Sequence, residues 1–142
     1  MDADADTTDD LSRGLAAYVH AVATALDVPV EGTTCEVSDT ATAYLALATR
    51  LASYPEHDLM LVWSEQHGWE AAVETEPGVV TEVIAYFGDE PLPEPEQVLA
   101  FVRAIVEGRD WGGSRPAFST VDNRHELAAR SSRYITGRNS YS

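Results

Sequence analysis

The stretch Asp58–Thr75, DLMLVWSEQHGWEAAVET, constrains the fold more than any other part of the chain. Apolar and polar residues alternate on both sides of Gln66-His67-Gly68, the pattern of two half-buried strands joined by a short turn. With Gln66-His67-Gly68 as a three-residue turn, Gly68 takes the left-handed position that such loops use. Glu65 then faces Trp69, Trp63 faces Ala71 and Leu61 faces Val73. One face of the hairpin carries Leu59, Leu61, Trp63, Trp69, Ala71 and Val73. The other carries Met60, Val62, Ser64, Glu70, Ala72 and Glu74. A slip of one residue would send Glu70 and Glu74 to the apolar side, so burial selects this assignment of faces. Trp63 and Trp69 are therefore expected in a core, where large rings supply packing area.

The rest of the chain is organised around this hairpin. Leu11, Leu15, Tyr18, Val19, Val22, Ala23 and Leu26 recur at helical spacing and predict a helix over 11–26, ended by Pro29. Residues 1–10, MDADADTTDD, are acidic and expected to be disordered. Asp2, Asp4 and Asp6 have the spacing that opens a calcium loop. The sixth position is Thr7 instead of Gly and the twelfth is Arg13 instead of Glu, which rejects that reading. Residues 33–38 and 41–49 read as two strands or one bent strand, and Tyr54-Pro55-Glu56-His57 as a loop. After a turn at Pro77-Gly78, Val79–Phe87 reads as a strand with Val83, Ala85 and Phe87 inward and Ile84 and Tyr86 outward. Pro91 and Pro93 break the sheet. Pro95 opens a second helix whose apolar side is Val98, Phe101, Val102, Ile105 and Val106, with Gly108 at its end. Residues 109–118 read as a linker. Residues 122–135 hold at most a short helix, thinly anchored by Leu127, Tyr134 and Ile135, with Glu126 and Arg130 paired one turn apart.

This order predicts an α+β, two-layer sandwich. An antiparallel meander sheet of about four strands carries an N-terminal and a C-terminal helix on one face, followed by a C-terminal tail or short helix. The expected organisation is a disordered acidic N-terminus (1–10), a single α+β domain (11–108) and a basic linker and tail (109–142). A chain of 142 residues suits one domain with a sizeable core.

Several segments together resemble an uncharacterised actinobacterial family, domain of unknown function 6292. They are Gly14–Leu26 (GLAAYVHAVATAL), Ala43–Leu47 (AYLAL), the hairpin Asp58–Thr75, and Val83–Val102 (VIAYFGDEPLPEPEQVLAFV). The resemblance covers about residues 11–108 and rests mainly on the hairpin with its two tryptophans. It implies a self-contained domain and carries no activity, cofactor or catalytic residue with it.

Charge and cysteine content bound the function. The single Cys35 excludes an internal disulfide and a multi-cysteine zinc site. No signal-like segment is present and no apolar run approaches the ~18 residues of a spanning helix, so the cytoplasm is the expected compartment and a membrane is not an expected partner. The net charge is −15, unevenly spread: residues 1–108 hold three Arg against 21 acidic residues, while 109–142 hold six Arg against three. An acidic body repels phosphate, so nucleic acid is not expected to bind. The tail arginines, Arg115, Arg124, Arg130, Arg133 and Arg138, are more simply read as offsetting the acidic body than as a nucleic-acid contact.

No sequence signature of catalysis emerges. There is no GxSxG, P-loop, GxGxxG or HExxH pattern. Glu65 and His67 flank the hairpin turn and read as solvent-facing turn residues before an acid/base pair. Cys35 reads as a small apolar group in a strand before a nucleophile. His20, His57, His67 and His125 share no ligand spacing, so no metal or cofactor is expected. What remains is a surface. The outward side of the sheet is more apolar than a fully solvated face should be. The expectation is a non-enzymatic interaction module that binds a protein partner or itself through the outer sheet face or an edge. Its contact residues would be Met60, Val62, Ile84 and Tyr86, with Trp111 in the Gly-rich linker as a further anchor or a tucked-in side chain. Two alternatives stand beside it: an acidic, immunity-type inhibitor of a basic nucleic-acid-binding protein, and an enzyme or small-molecule binder with a pocket between sheet and helices.

Overall fold

A computed structural model describes residues 3–38, 40–52, 54–76, 79–88, 90–109, 111 and 120–135. Helix α1 (Ala3–Leu26) leads through a 3-10 turn (Val30–Gly32) into five strands: β1 (Thr33–Val37), β2 (Ala41–Leu51), β3 (Tyr54–Ser64), β4 (Gly68–Glu76) and β5 (Val79–Tyr86). Helices α2 (Pro95–Val106) and α3 (Thr120–Ser132) follow. The sheet is antiparallel throughout, with spatial order β1-β2-β3-β4-β5. The α+β meander is as the residue pattern predicts, with five strands instead of about four. Residues 33–49 make two strands, because Val37 pairs with Ala41 in an antiparallel ladder. The expected turn at Pro77-Gly78 lies outside the described residues.

The core is a single layer between the sheet and the helices. From α1 come Leu11, Leu15, Tyr18, Val19, Val22 and Ala23; from α2 come Val98, Phe101 and Ile105. The sheet contributes Ala41, Ala43, Leu45, Leu59, Leu61, Trp63, Trp69, Ala71 and Val73. The alanines opposite and beside the indoles leave room for two large rings in one layer. All three helices meet this cluster, since Leu127 and Ala128 of α3 also belong to it.

Three boundaries differ from the sequence reading. The first helix starts at Ala3, where disorder was expected over 1–10. Once the apolar stripe from Leu11 onward nucleates the helix, each residue added at its end gains a hydrogen bond without a new nucleation cost. The loop expected at Tyr54-Pro55-Glu56-His57 is the start of β3, with Leu51 paired to Tyr54. Pro55 is tolerated because β4 pairs with β3 only from Asp58 onward, so no ladder bond is required of it on that side. The short helix allowed for at 122–135 forms as α3 two residues earlier, from Thr120 to Ser132, and packs on α1.

The helix ends follow local chemistry. Pro95 opens α2, and the Glu94 N–H donates to Gln97 Oε1 at 2.8 Å. Gly108, at φ 76°, ends it in the left-handed conformation.

The hairpin is displaced from its expected pairing by two residues. Trp63 lies opposite Trp69 and Ser64 opposite Gly68, so the loop is Glu65-Gln66-His67. Gly68 is left-handed, at φ 68°, as the spacing predicts. A shift of two keeps each side chain on its expected face, whereas a shift of one would have inverted them.

Candidate functional site

Outside the core layer, one cross-strand row runs across the whole sheet. Thr34 pairs with Tyr44, Tyr44 with Val62, Val62 with Glu70, and Glu70 with Tyr86. Four strand spacings give this row a length of roughly 19 Å. Period-two alternation puts all five side chains on the face opposite the helices. Tyr44, Val62 and Tyr86 are half-buried, and Thr34 is exposed. Beside the row lies a shallow hollow of about 190 Å³ lined by Thr34, Glu36, Thr42, Tyr44, Met60 and Val62.

The expected contact residues divide. Val62 and Tyr86 lie on this row. Met60 lies on the same face but is fully buried, between its neighbours Ala46 and Ala72. Ile84 does not face outward. A bulge between Ala71 and Ala72 pairs Ala85 with Ala71 but Val83 with Ala72. The extra residue is Ile84, which packs against the core, and Val83 takes the outward register. Trp111 is also an internal anchor. Its Nε1 donates to the Phe87 carbonyl at 2.7 Å, and its ring lies 5.4 Å from Phe87 and 5.2 Å from Phe101.

The largest departure is Glu65, which is fully buried instead of facing solvent at the hairpin tip. Its backbone N–H donates to the Ala41 carbonyl at 3.0 Å, and the Ala41 N–H donates to its Oε1 at 2.6 Å. Arg124 of α3 completes the arrangement: one guanidinium nitrogen donates to Oε1 at 2.7 Å and Nε to Oε2 at 3.1 Å. The same guanidinium donates to the Ser38 carbonyl at 2.7 Å. Both carboxylate oxygens are thus engaged by fixed donors, which argues against a proton-transfer role for Glu65 beside His67.

Other tail arginines act similarly. Arg130 pairs with Glu90 and donates to the Leu92 carbonyl, and Arg133 pairs with Glu94. Arg130 therefore reaches Glu90 across the fold, whereas the sequence spacing pairs it with Glu126 one turn away. Arg115 and Arg138 lie outside the described residues.

The remaining polar groups in the interior are structural. Trp63 Nε1 donates to the Pro91 carbonyl at 2.6 Å. Trp69 Nε1 donates to Tyr18 Oη at 3.0 Å, and Tyr18 donates to the Pro93 carbonyl. Burial pushes the Tyr18 phenol far above its ordinary pKa, with the Trp69 N–H opposing in part. Half-buried Cys35 likewise has its thiol pushed up by burial, which disfavours the thiolate that a nucleophile needs. Among the described residues no three His, Cys, Asp or Glu side chains form a group that could hold a metal ion. No helix among them is long and apolar enough to cross a membrane.

The sequence contained signals for two of these features. Gly14, in the middle of α1, marks a close approach: a Cβ there would lie 2.2 Å from Ser131 Oγ of α3. Arginines clustered after an acidic body mark complementary charge. Neither signal identifies its partner residue, because Gly14 and Ser131 lie at opposite ends of the chain and the arginine contacts join positions 59 and 40 residues apart.

No curated protein and no solved structure matches the chain. Residues 18–104, which span β1 to β5 and most of α2, match the model of a family of unknown function, DUF6292. The match takes in the tryptophan hairpin and the outer row, and it ends before α3. On that match, covering more than half of its length, the chain belongs to the DUF6292 family.

Proposed function

We propose that this domain is a non-enzymatic interaction module. It docks a protein partner on the outer face of its sheet, and the partner presents an apolar surface flanked by Arg or Lys. The observation that carries this reading is the row Thr34–Tyr44–Val62–Glu70–Tyr86, which sets two tyrosines and a valine across a face that the described helices leave to one side. Tyrosine supplies large contact area at low entropic cost and is enriched at interfaces. Glu36 and Glu70 add negative charge on the same face, and the chain as a whole carries −15. Two such faces would repel each other, so charge complementarity favours a basic partner over a second copy.

The test is a photo-crosslinking residue placed at Val62 and, as a control, at exposed Arg103 on α2, in the native cell. The protein captured from Val62 alone is then purified and its binding measured by calorimetry. Val62→Glu should weaken that binding at least about 30-fold, the loss expected of an interface hot spot, with the melting temperature unchanged. Identical crosslinks from both positions, or undiminished binding by Val62→Glu, would sink the proposal.

The acidity also supports the inhibitor reading, in which charge alone captures a basic nucleic-acid-binding protein. In that case Val62→Glu would bind as well as the parent or better, and added salt would abolish binding in both.

A further inference from the structure

Strand β1 forms one edge of the sheet, and no described strand lies beyond it. The Ala41 N–H and C=O are both taken by Glu65, on the β3 side of β2. Val37, which lies opposite Ala41, therefore makes no ladder bond to it. Bonded and non-bonded pairs alternate along an antiparallel ladder, so Thr34 and Glu36 bond to β2 while the N–H and C=O of Cys35 and Val37 point to the open edge. Native edges are commonly blunted by Lys, Pro or bulges. At the opposite edge, β5 joins its neighbour through three register shifts. Strand β1, TTCEV, has no Lys and no Pro, and it pairs without a shift over all five residues. Its inward side chains Cys35 and Val37 are only half-buried, so the helical layer covers this edge incompletely.

The outer side of the same edge is acidic. Glu36 is exposed there, and with Thr34 it borders the hollow of about 190 Å³ whose lining includes Tyr44, Met60 and Val62. We propose that β1 accepts an extended segment of the partner as an added antiparallel strand, with Arg or Lys at the alternate positions that face outward. This states how the interaction module described above takes its partner, and it rests on that reading. The partner's inward side chains, opposite Cys35 and Val37, are apolar and extend the core layer, and the backbone groups of those residues bond to the edge. Its outward side chains stand about 5 Å from Thr34 and Glu36. A basic side chain there lays its stem at the mouth of the hollow and its charge against Glu36. A second copy is the poorer occupant: paired β1 edges would set Glu36 near Glu36, between bodies that each carry −15.

The experiment uses the isotope-labelled full chain and a capped peptide of alternating arginine and valine, followed by NMR titration and amide exchange. The peptide should bind saturably and slow exchange at Cys35 and Val37 at least about tenfold, with little change at Thr34 and Glu36, which β2 already protects. Methylating the valine amides removes the bonds to β1 and keeps the charge, and should weaken binding at least about tenfold. Methylating the arginine amides, which face away from β1, should leave binding within about threefold. Glu36→Lys, at an exposed position, should weaken the parent peptide at least about tenfold. Equal binding by the two methylated peptides, or shifts that bypass β1, would point to charge or the sheet face alone and overturn strand addition. No saturable binding overturns it as well. Slowed exchange at Cys35 and Val37 in concentrated protein without peptide, together with a dimer mass by light scattering, overturns the basic partner in favour of a second copy. The outer-face reading is judged separately by the Val62 crosslinks, which a failed edge leaves standing.

Discussion

At the scale of single residues, the chain shows how burial changes the meaning of a polar side chain. Glu65 lies beside a hairpin turn, where exposure is the default, yet it is sealed between the start of β2 and α3. Arg124→Ala should therefore cost about 3 kcal/mol, since it leaves a carboxylate buried without its cation. Urea unfolding would measure it. Arg133→Ala, whose pair is exposed, should leave the urea midpoint nearly unchanged in the same assay. Tyr18 offers a pH readout. Its phenol is protonated in the folded state well above pH 10, whereas in the unfolded chain it titrates near 10. Its contribution to stability is present in full below about pH 10 and is lost as pH rises beyond that. Tyr18→Phe should be less stable at pH 8 by about 1–3 kcal/mol, because the Trp69 N–H and the Pro93 carbonyl lose their partner. It should also lose stability less steeply between pH 10 and 12, which urea titrations at three pH values would resolve.

At the scale of elements, close approach between helices depends on one missing side chain. Glycine inside a helix costs up to about 1 kcal/mol against alanine, so its presence in α1 needs a compensating contact. Here the contact is Ser131, whose Oγ and backbone carbon would lie 2.2 and 3.1 Å from an added Cβ. Gly14→Ala should destabilise by about 1–3 kcal/mol despite its better helix propensity, and Ser131→Ala in the same chain should restore part of the loss. Thermal unfolding of the two single variants and the double variant measures that coupling. The hairpin illustrates how much of an element alternation can specify. Trp63 and Trp69 fall on the helix-covered face as their spacing predicts, because faces depend only on parity. Which residues oppose one another depends on the loop, and the inward turn of Glu65 moves the pairing by two. The same limit applies to Ile84. Strict alternation sends it outward, and a bulge, which has no signature in a run such as VVTEVIAYF, returns it to the core.

At the scale of the whole molecule, the two faces of the sheet should respond differently to the same substitution. Met60→Glu puts a charge at a fully buried position and should unfold or severely destabilise the protein. Val62→Glu, on the neighbouring half-buried row, should fold with a melting temperature within a few degrees of the parent. Circular dichroism melts of the two variants test whether the outer face is a surface or a second core. The sequence by itself determined the α+β class, the meander, the two main helices and the burial of both tryptophans. Each follows from periodicity and turn chemistry within a few residues of chain. Only the tertiary structure decided which carboxylates the arginines of α3 reach, that Glu65 is sealed, and that Trp111 and Ile84 point inward. Those outcomes depend on contacts between distant positions and on a bulge in the ladder, and local pattern does not encode which remote group arrives to pair a charge or cover a ring.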